Sequence, residues 1–310
     1  MVGFERWSAA MDRALYGPGG FYRRELPRHH FSTSAQTPVF AEAVARLADA
    51  VDAGLGRPEA FEVVDVGAGN GELIGHLDSL LDERARLTAV ELRPKPGDLP
   101  ERVNWQSHLP DRVVGLVVAC ELLDNVPCDV AVVDPEGGLR YEEVDEHGET
   151  RPGGPVDDAD AKWLDEWWPL PEPGRRAEIG RPRERMWEAL TGRVASGTAL
   201  AIDYGHTRAD RPEAGSMSGF RGGGTVRPVP DGSCDITAHV AVDALGSDRL
   251  VTQREALRDL GLPVERPPLS LAYRDPTRYA VDLARASASA RLTDPGGLGA
   301  HWWILSSPVA

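Results

Sequence analysis

A run of glycines and a few acids carry the chemistry open to this chain. Val63-Val64-Asp65-Val66-Gly67-Ala68-Gly69-Asn70-Gly71-Glu72-Leu73 sets a β-branched run before an acid, then alternate glycines, then a helical pattern. That order reads as a buried strand, a tight turn and a helix N-terminus. Glycine lets a ligand approach the backbone, and the first helical turn leaves N–H groups free for an anion. A dinucleotide fingerprint has its third glycine five positions after the first. Here Glu72 holds that place and Gly71 falls one earlier. Gly67, Gly69 and Gly71 are candidate donors to a ligand carboxylate, with Asp65 behind them, although such a turn can also be purely structural. Glu91 ends the next apolar run, where a parallel sheet presents an acid to ribose hydroxyls, or it is a solvated strand-end acid. Gln106 and Ser107 follow the third run and are candidates to touch a base. Glu121 and Asp124 follow the fourth. A carboxylate pair can grip a guanidinium through bidentate bonds, or cap a helix and form a structural ion pair. Tyr204 and His239 are candidates for acceptor contact or proton transfer, or for packing.

The elements that must position these residues alternate between strand and helix. Strands are expected at Phe61 to Val66, Leu87 to Glu91, Val103 to Trp105, Val113 to Cys120 and Thr198 to Asp203, with the last strand at His301 to Ser306. Apolar residues at helical spacing predict helices at Phe4 to Leu15, from Thr37-Pro38 to Gly54, and at Leu73 to Leu81. The rhythm predicts an α/β fold with a doubly wound, seven-stranded sheet, whose ligands bind beyond the C-terminal strand ends. From Asp129 the pattern changes to a hairpin, an acidic Gly/Pro-rich stretch from Asp145 to Asp160 expected to be a mobile loop, and helices near Trp163 and from Arg181. The expected division is an N-terminal helical extension (1–57), a first half-domain (58–128), an inserted cap (129–195) and a second half-domain (196–310) carrying a lid (206–235). Asp235-Ile236-Thr237-Ala238-His239-Val240 reads as the capped start of a helix. The Trp163, Trp167 and Trp168 cluster reads as packing within the insertion, and the Arg-rich stretch from Arg208 to Arg227 as solvated.

Composition narrows the classes. The chain has 310 residues, 34 basic against 49 acidic, and a net charge of -15. That balance argues against nucleic acid and anionic membranes as partners. An apolar share of 41% is ordinary for a globular enzyme. Three cysteines, Cys120, Cys128 and Cys234, form no Cys-x-x-Cys pair. No metal site or disulfide framework is expected, and a cytoplasmic location is. No apolar run approaches a membrane span.

The glycine loop resembles the first motif of class I S-adenosylmethionine methyltransferases. More specific stretches follow it in order: Leu15-Tyr16-Gly17-Pro18-Gly19-Gly20-Phe21-Tyr22, Phe31-Ser32-Thr33-Ser34, Glu121-Leu122-Leu123-Asp124-Asn125-Val126-Pro127, Ile202-Asp203-Tyr204-Gly205, Gly224-Thr225-Val226-Arg227 and Asp235 to Val240. Together they resemble the MidA family over nearly the whole chain. That family includes the mitochondrial complex I assembly factor that methylates protein arginine. The resemblance implies a Rossmann-like methyltransferase fold and S-adenosylmethionine held by Asp65, Gly67, Gly69, Gly71, Glu91, Gln106, Ser107, Glu121 and Thr33. It also implies catalysis by Glu121, Asp124 and His239, with Tyr204 and Asp124 toward the substrate. The expected acceptor is a protein or peptide side chain, arginine first. A small molecule, or a non-catalytic assembly factor that binds the cofactor structurally, is the alternative. A homo-oligomer is compatible with the sequence. Two stretches depart from the family: His29-His30 replace a longer Gly-Asp loop, and Ala35-Gln36 replace Pro-Glu.

Overall fold

The computed structural model describes residues 3–25, 33–262 and 264–307. They divide into two compact units, one of 33–120, 190–202 and 247 onward, the other of the N-terminal segment, 121–189 and 203–246. His29, His30, Phe31 and Ser32 lie outside the described residues.

The first unit is organised by one sheet. Its strands are β1 (Phe61–Val66), β2 (Ala85–Val90), β3 (Val103–Gln106), β4 (Val113–Cys120), β5 (Val194–Asp203), β6 (Arg249–Thr252) and β7 (Trp302–Ser306). Their order is β6-β7-β5-β4-β1-β2-β3. Neighbours from β5 to β3 run parallel, and β6 pairs antiparallel with β7. Strands β1 to β3 wind one way and β4 to β5 the other. The order therefore reverses between β1 and β4, where an open α/β sheet leaves a crevice at its C-terminal edge. Val63, Leu116 and Leu200 of the sheet share a core with Phe40, Val44, Leu73 and Trp303. β4 is apolar along nearly its whole length because both its faces are covered. The helix Pro38–Gly54 starts as expected: Thr37 Oγ1 accepts the Phe40 N–H at 3.2 Å, and Pro38 takes the first helical position.

The second unit has a five-stranded sheet, in which Leu139–Val144 is flanked by Glu5–Arg6, Val130–Val133 and Thr150–Pro155. A three-stranded sheet centres on Ser218–Arg221. Trp7, Met11, Leu15 and Phe21 pack with Val130 and Ile236. Trp163 and Trp168 are core residues of the insertion, next to Tyr141 and Ile179.

Several local expectations are corrected. The stretch expected as a mobile loop contains the edge strand Thr150–Pro155 and the start of the helix Asp158–Trp167. Its prolines and glycines are tolerated at a sheet edge, where half the backbone groups need no partner. The expected lid carries three strands, Ser218–Arg221, Gly224–Val226 and Asp235–Thr237. Its Arg211 is not solvated: it pairs with Asp243 at 2.5 Å and stands over Trp168. Asp235–Thr237 and Val240–Ala241 are two short strands, not the start of a helix, because Asp235 gives its carboxylate to Tyr22 and Asn125 instead of capping. The helix after the glycine loop ends at Asp78, short of Leu81. No helix among the described residues is long and apolar enough to cross a membrane.

Candidate functional site

The glycine loop leaves β1 at the reversal point. Gly67, Gly69 and Gly71 all hold positive φ, at 72°, 60° and 76°. At Gly69 an added Cβ would find its nearest neighbours, Glu72 Oε2 and Arg93 Nη2, at 3.8 and 4.0 Å. Space is open there and the backbone angle is the constraint. At Gly71, the N-cap of the helix Glu72–Asp78, a Cβ would meet Leu99 Cδ1 at 2.6 Å. Gly71 thus also makes room for packing.

Acids surround this loop. Glu91 Oε2 accepts the Gly69 N–H at 2.9 Å, and Oε1 accepts those of Leu92 and Arg93 at 2.9 and 3.1 Å. Gly69 N–H, a candidate donor to a ligand carboxylate, is donated to Glu91 here. Glu72 Oε2 accepts the Asn70 N–H at 3.1 Å. Asp65 is buried, and its Oδ2 meets no hydrogen-bond partner. Burial first, then the charges of Glu72 and Glu91, push its carboxyl up to about 7. An orphaned buried oxygen behind an open loop fits a ligand that brings a cationic donor, such as the amino group of a methionyl moiety. Gln106 Nε2 donates to the His108 carbonyl at 2.7 Å, and Ser107 Oγ lies 2.9 Å from His108 Nδ1. Thr33 precedes the turn Ser34–Gln36 and makes no capping bond.

The second unit gathers a different group. Glu121 follows β4 directly and has φ +52°, a left-handed angle that is strained for a residue with a side chain. A 3-10 turn, Leu123–Asn125, comes next. Asp124 in this turn is 3% exposed. Tyr204 OH donates to its Oδ2, while its Oδ1 is buried without a partner. Asp203 Oδ2 accepts the N–H groups of Leu123 and Asp124, at 2.8 and 3.2 Å. Asn125 Nδ2 and Tyr22 OH donate to Asp235 Oδ1 at 3.0 and 2.9 Å. Burial raises all three carboxyls: Asp124 to about 6 despite the Tyr204 hydroxyl and Arg183, Asp235 to about 8, Asp203 well above its usual range. Arg183, 1% exposed, gives Nε to the Leu123 carbonyl at 2.9 Å. Among the described residues no ion pair involves Asp124, Asp203 or Asp235.

Tyr204 and His239 meet edge to face, with centroids 5.1 Å apart. His239 lies at the surface, in a crowded spot that disfavours its charged form. The structure thus brings Asp124, Tyr204 and His239 together, and separately Asp65, Gly69 and Glu91. Residue-by-residue reading did not single out Asp203, Asp235, Asn125, Arg183 or Tyr22. Asp203 and Asp235 do lie inside stretches that carry the family resemblance. Tyr22 and Asn125 do so too, and Arg183 has no signal beyond its side-chain type.

A parallel sheet with a glycine loop at its reversal point defines a nucleotide-cofactor-binding α/β protein, and comparison narrows this. Residues 43–258 match the family model Methyltransf_28, described as "putative S-adenosyl-L-methionine-dependent methyltransferase". The chain belongs to that family and is an S-adenosylmethionine-dependent methyltransferase, as the MidA resemblance implied. A COG1565 superfamily member from Burkholderia thailandensis, solved with S-adenosyl-homocysteine bound, is similar at 23% identity and a TM-score of 0.81. The match covers 99% of this chain and 88% of that one. A native structure of a COG1565 superfamily protein from the same organism gives 24% identity, a TM-score of 0.77 and the same coverage. At these identities the likeness concerns the fold. No curated protein matches the chain.

Proposed function

We propose that this methyltransferase acts on a protein or peptide side chain, arginine first. One observation carries the reading: Asp124 Oδ1 is buried without a hydrogen-bond partner, and neither Asp124 nor its neighbours Asp203 and Asp235 form an ion pair among the described residues. A guanidinium satisfies such an oxygen and offsets the charge with one planar group.

S-adenosylmethionine, when bound, supplies an electrophilic methyl group on a sulfonium. Asp65 and the loop of Gly67, Gly69 and Gly71 would hold its methionyl end. Glu91 would meet the ribose once an oxygen is released from the loop, with Gln106 and Ser107 toward the base and Thr33 nearby. Glu121 and Asp124 grip the acceptor and keep one nitrogen oriented. With the methyl group supplied in this way, Asp124 would take the proton that the held nitrogen sheds. A carboxyl with a pKa of about 6 is ionised at neutral pH and ready to accept it. Tyr204 OH steadies the same carboxylate, and His239 stands behind Tyr204.

Tritiated S-adenosylmethionine with cell extract, followed by mass spectrometry, should place a +CH2 on arginine of a polypeptide. Labelling of small molecules alone would sink the protein-acceptor reading. Glu121→Gln should keep cofactor affinity within twofold and lower turnover at least a hundredfold. Unchanged turnover removes Glu121 from the chemistry.

A further inference from the structure

Asp203, the last residue of β5, has no oxygen turned to spare. Its Oδ2 accepts the N–H groups of Leu123 and Asp124, and its Oδ1 accepts the N–H of Tyr204 at 3.0 Å. Tyr204 in turn donates its hydroxyl to Asp124. Three residues therefore close a ring. The Asp203 carboxylate holds the Asp124 backbone, the Tyr204 hydroxyl holds the Asp124 side chain, and the Tyr204 backbone returns to Asp203.

The rest of the turn is held from its other side. Arg183 donates to the carbonyls of Leu123 and Asp124, at 2.9 and 3.3 Å. Asn125 is tied to Asp235 and the Ile236 carbonyl, and its own carbonyl accepts the Tyr16 hydroxyl at 3.2 Å. The N–H groups of Leu123 and Asp124 depend on Asp203. The chain enters this turn through the left-handed Glu121, a conformation that persists only where the surroundings impose it.

From this ring we infer that Asp203 is a positioning residue for methyl transfer. It acts through the backbone of Asp124 and the orientation of Tyr204, and it touches no acceptor itself. The inference rests on the reading of Asp124 as the acceptor-side carboxylate.

Asp203→Ala and Asp203→Asn test it, with an arginine-containing peptide and tritiated S-adenosylmethionine as probes. Asp203→Ala should lower kcat about a hundredfold, leave S-adenosylhomocysteine affinity by calorimetry within twofold, and keep a cooperative melt. Asp203→Asn retains one acceptor oxygen and should recover about tenfold of that loss. A kcat within threefold of wild type, or loss of cofactor affinity in step with kcat, would overturn the inference. A second readout needs no acceptor: the Asp124 carboxyl, followed by carbon-13 NMR. Tyr204 and Arg183 lower its titration, Asp203, Asp235 and Tyr22 feel its charge, and Glu121 acts on Asp203. In Asp203→Asn that titration should move downward from about 6, because the loosened turn lets water reach a carboxyl that burial holds up. An unmoved titration counts against Asp203. Should wild type fail to methylate the peptide while the NMR shift appears, the arginine reading fails and the positioning role stands.

Discussion

The acids of the glycine loop and the acids of the Asp124 turn solve opposite problems. Around the loop, Glu91 and Glu72 are satisfied by backbone N–H groups of their own neighbourhood, and only Asp65 keeps an orphaned oxygen. Around the turn, the partners are side chains and strand ends from far along the chain: Tyr22, Arg183, Asp203, Tyr204 and Asp235. The first arrangement is built by local backbone shape, the second by tertiary packing. Substitutions should therefore act through conformational strain in one region and through lost partners in the other.

The largest effect is expected at Gly69. Valine is β-branched and does not hold φ near +60°, so the loop must rearrange although its Cβ has room. Gly69→Val should weaken S-adenosylhomocysteine binding at least a hundredfold by calorimetry, with circular dichroism unchanged. Near-native affinity in the folded variant would remove the loop from cofactor binding.

A middle-sized effect links the two regions through pH. Unfolded aspartates ionise near pH 4. In the fold Asp65, Asp124 and Asp235 hold their protons to about 7, 6 and 8. Between those values the folded state binds more protons than the unfolded one, so stability falls as pH rises from about 4 to 8. Methyl transfer should run the other way, rising about tenfold per unit below pH 6 as Asp124 ionises. Acids whose affinity for protons is lowered by arginine or backbone partners, such as Asp134 and Asp157, lose their contribution only below about pH 4. Thermal melts and initial rates across pH 5 to 8 check both slopes. A melting temperature that climbs over this range would contradict the burial of these carboxyls.

The smallest effect belongs to Gly71. There a Cβ meets Leu99, the flexible end of a side chain, and the left-handed angle adds strain. Gly71→Ala should cost about 1–2 kcal/mol of stability, a few degrees in melting temperature, with modest loss of cofactor affinity. If Gly71→Ala instead abolished binding at unchanged stability, the split between packing glycine and ligand glycine would blur.

This contrast also explains what could be read from the chain. The loop was legible because its acid, its glycines and its helix start are contiguous, and β-branched runs mark the strands beside it. The Asp124 turn was half legible: Glu121, Asp124 and Tyr204 stand at strand ends, where sheet topology puts chemistry. Asp235 was misread because an acid before a mixed Ile-Thr-Ala run suits a helix cap or a strand equally. Only Tyr22 and Asn125 decide between them, and both lie more than a hundred residues away along the chain. Arg183 lies on a helix whose buried side no local pattern marks as polar. Thr150–Pro155 was missed for a different reason: its composition signals a turn, while its pairing with Leu139–Val144 makes it a strand.

Glu121 ends β4 by turning the backbone left-handed, at a cost of about 1–2 kcal/mol that glycine would avoid. On the acceptor-gripping role proposed for Glu121, selection for heat resistance alone would erode it and selection for turnover would restore it. The position is thus a point of contest between durability and activity, and how a lineage fills it records which of the two it has needed more.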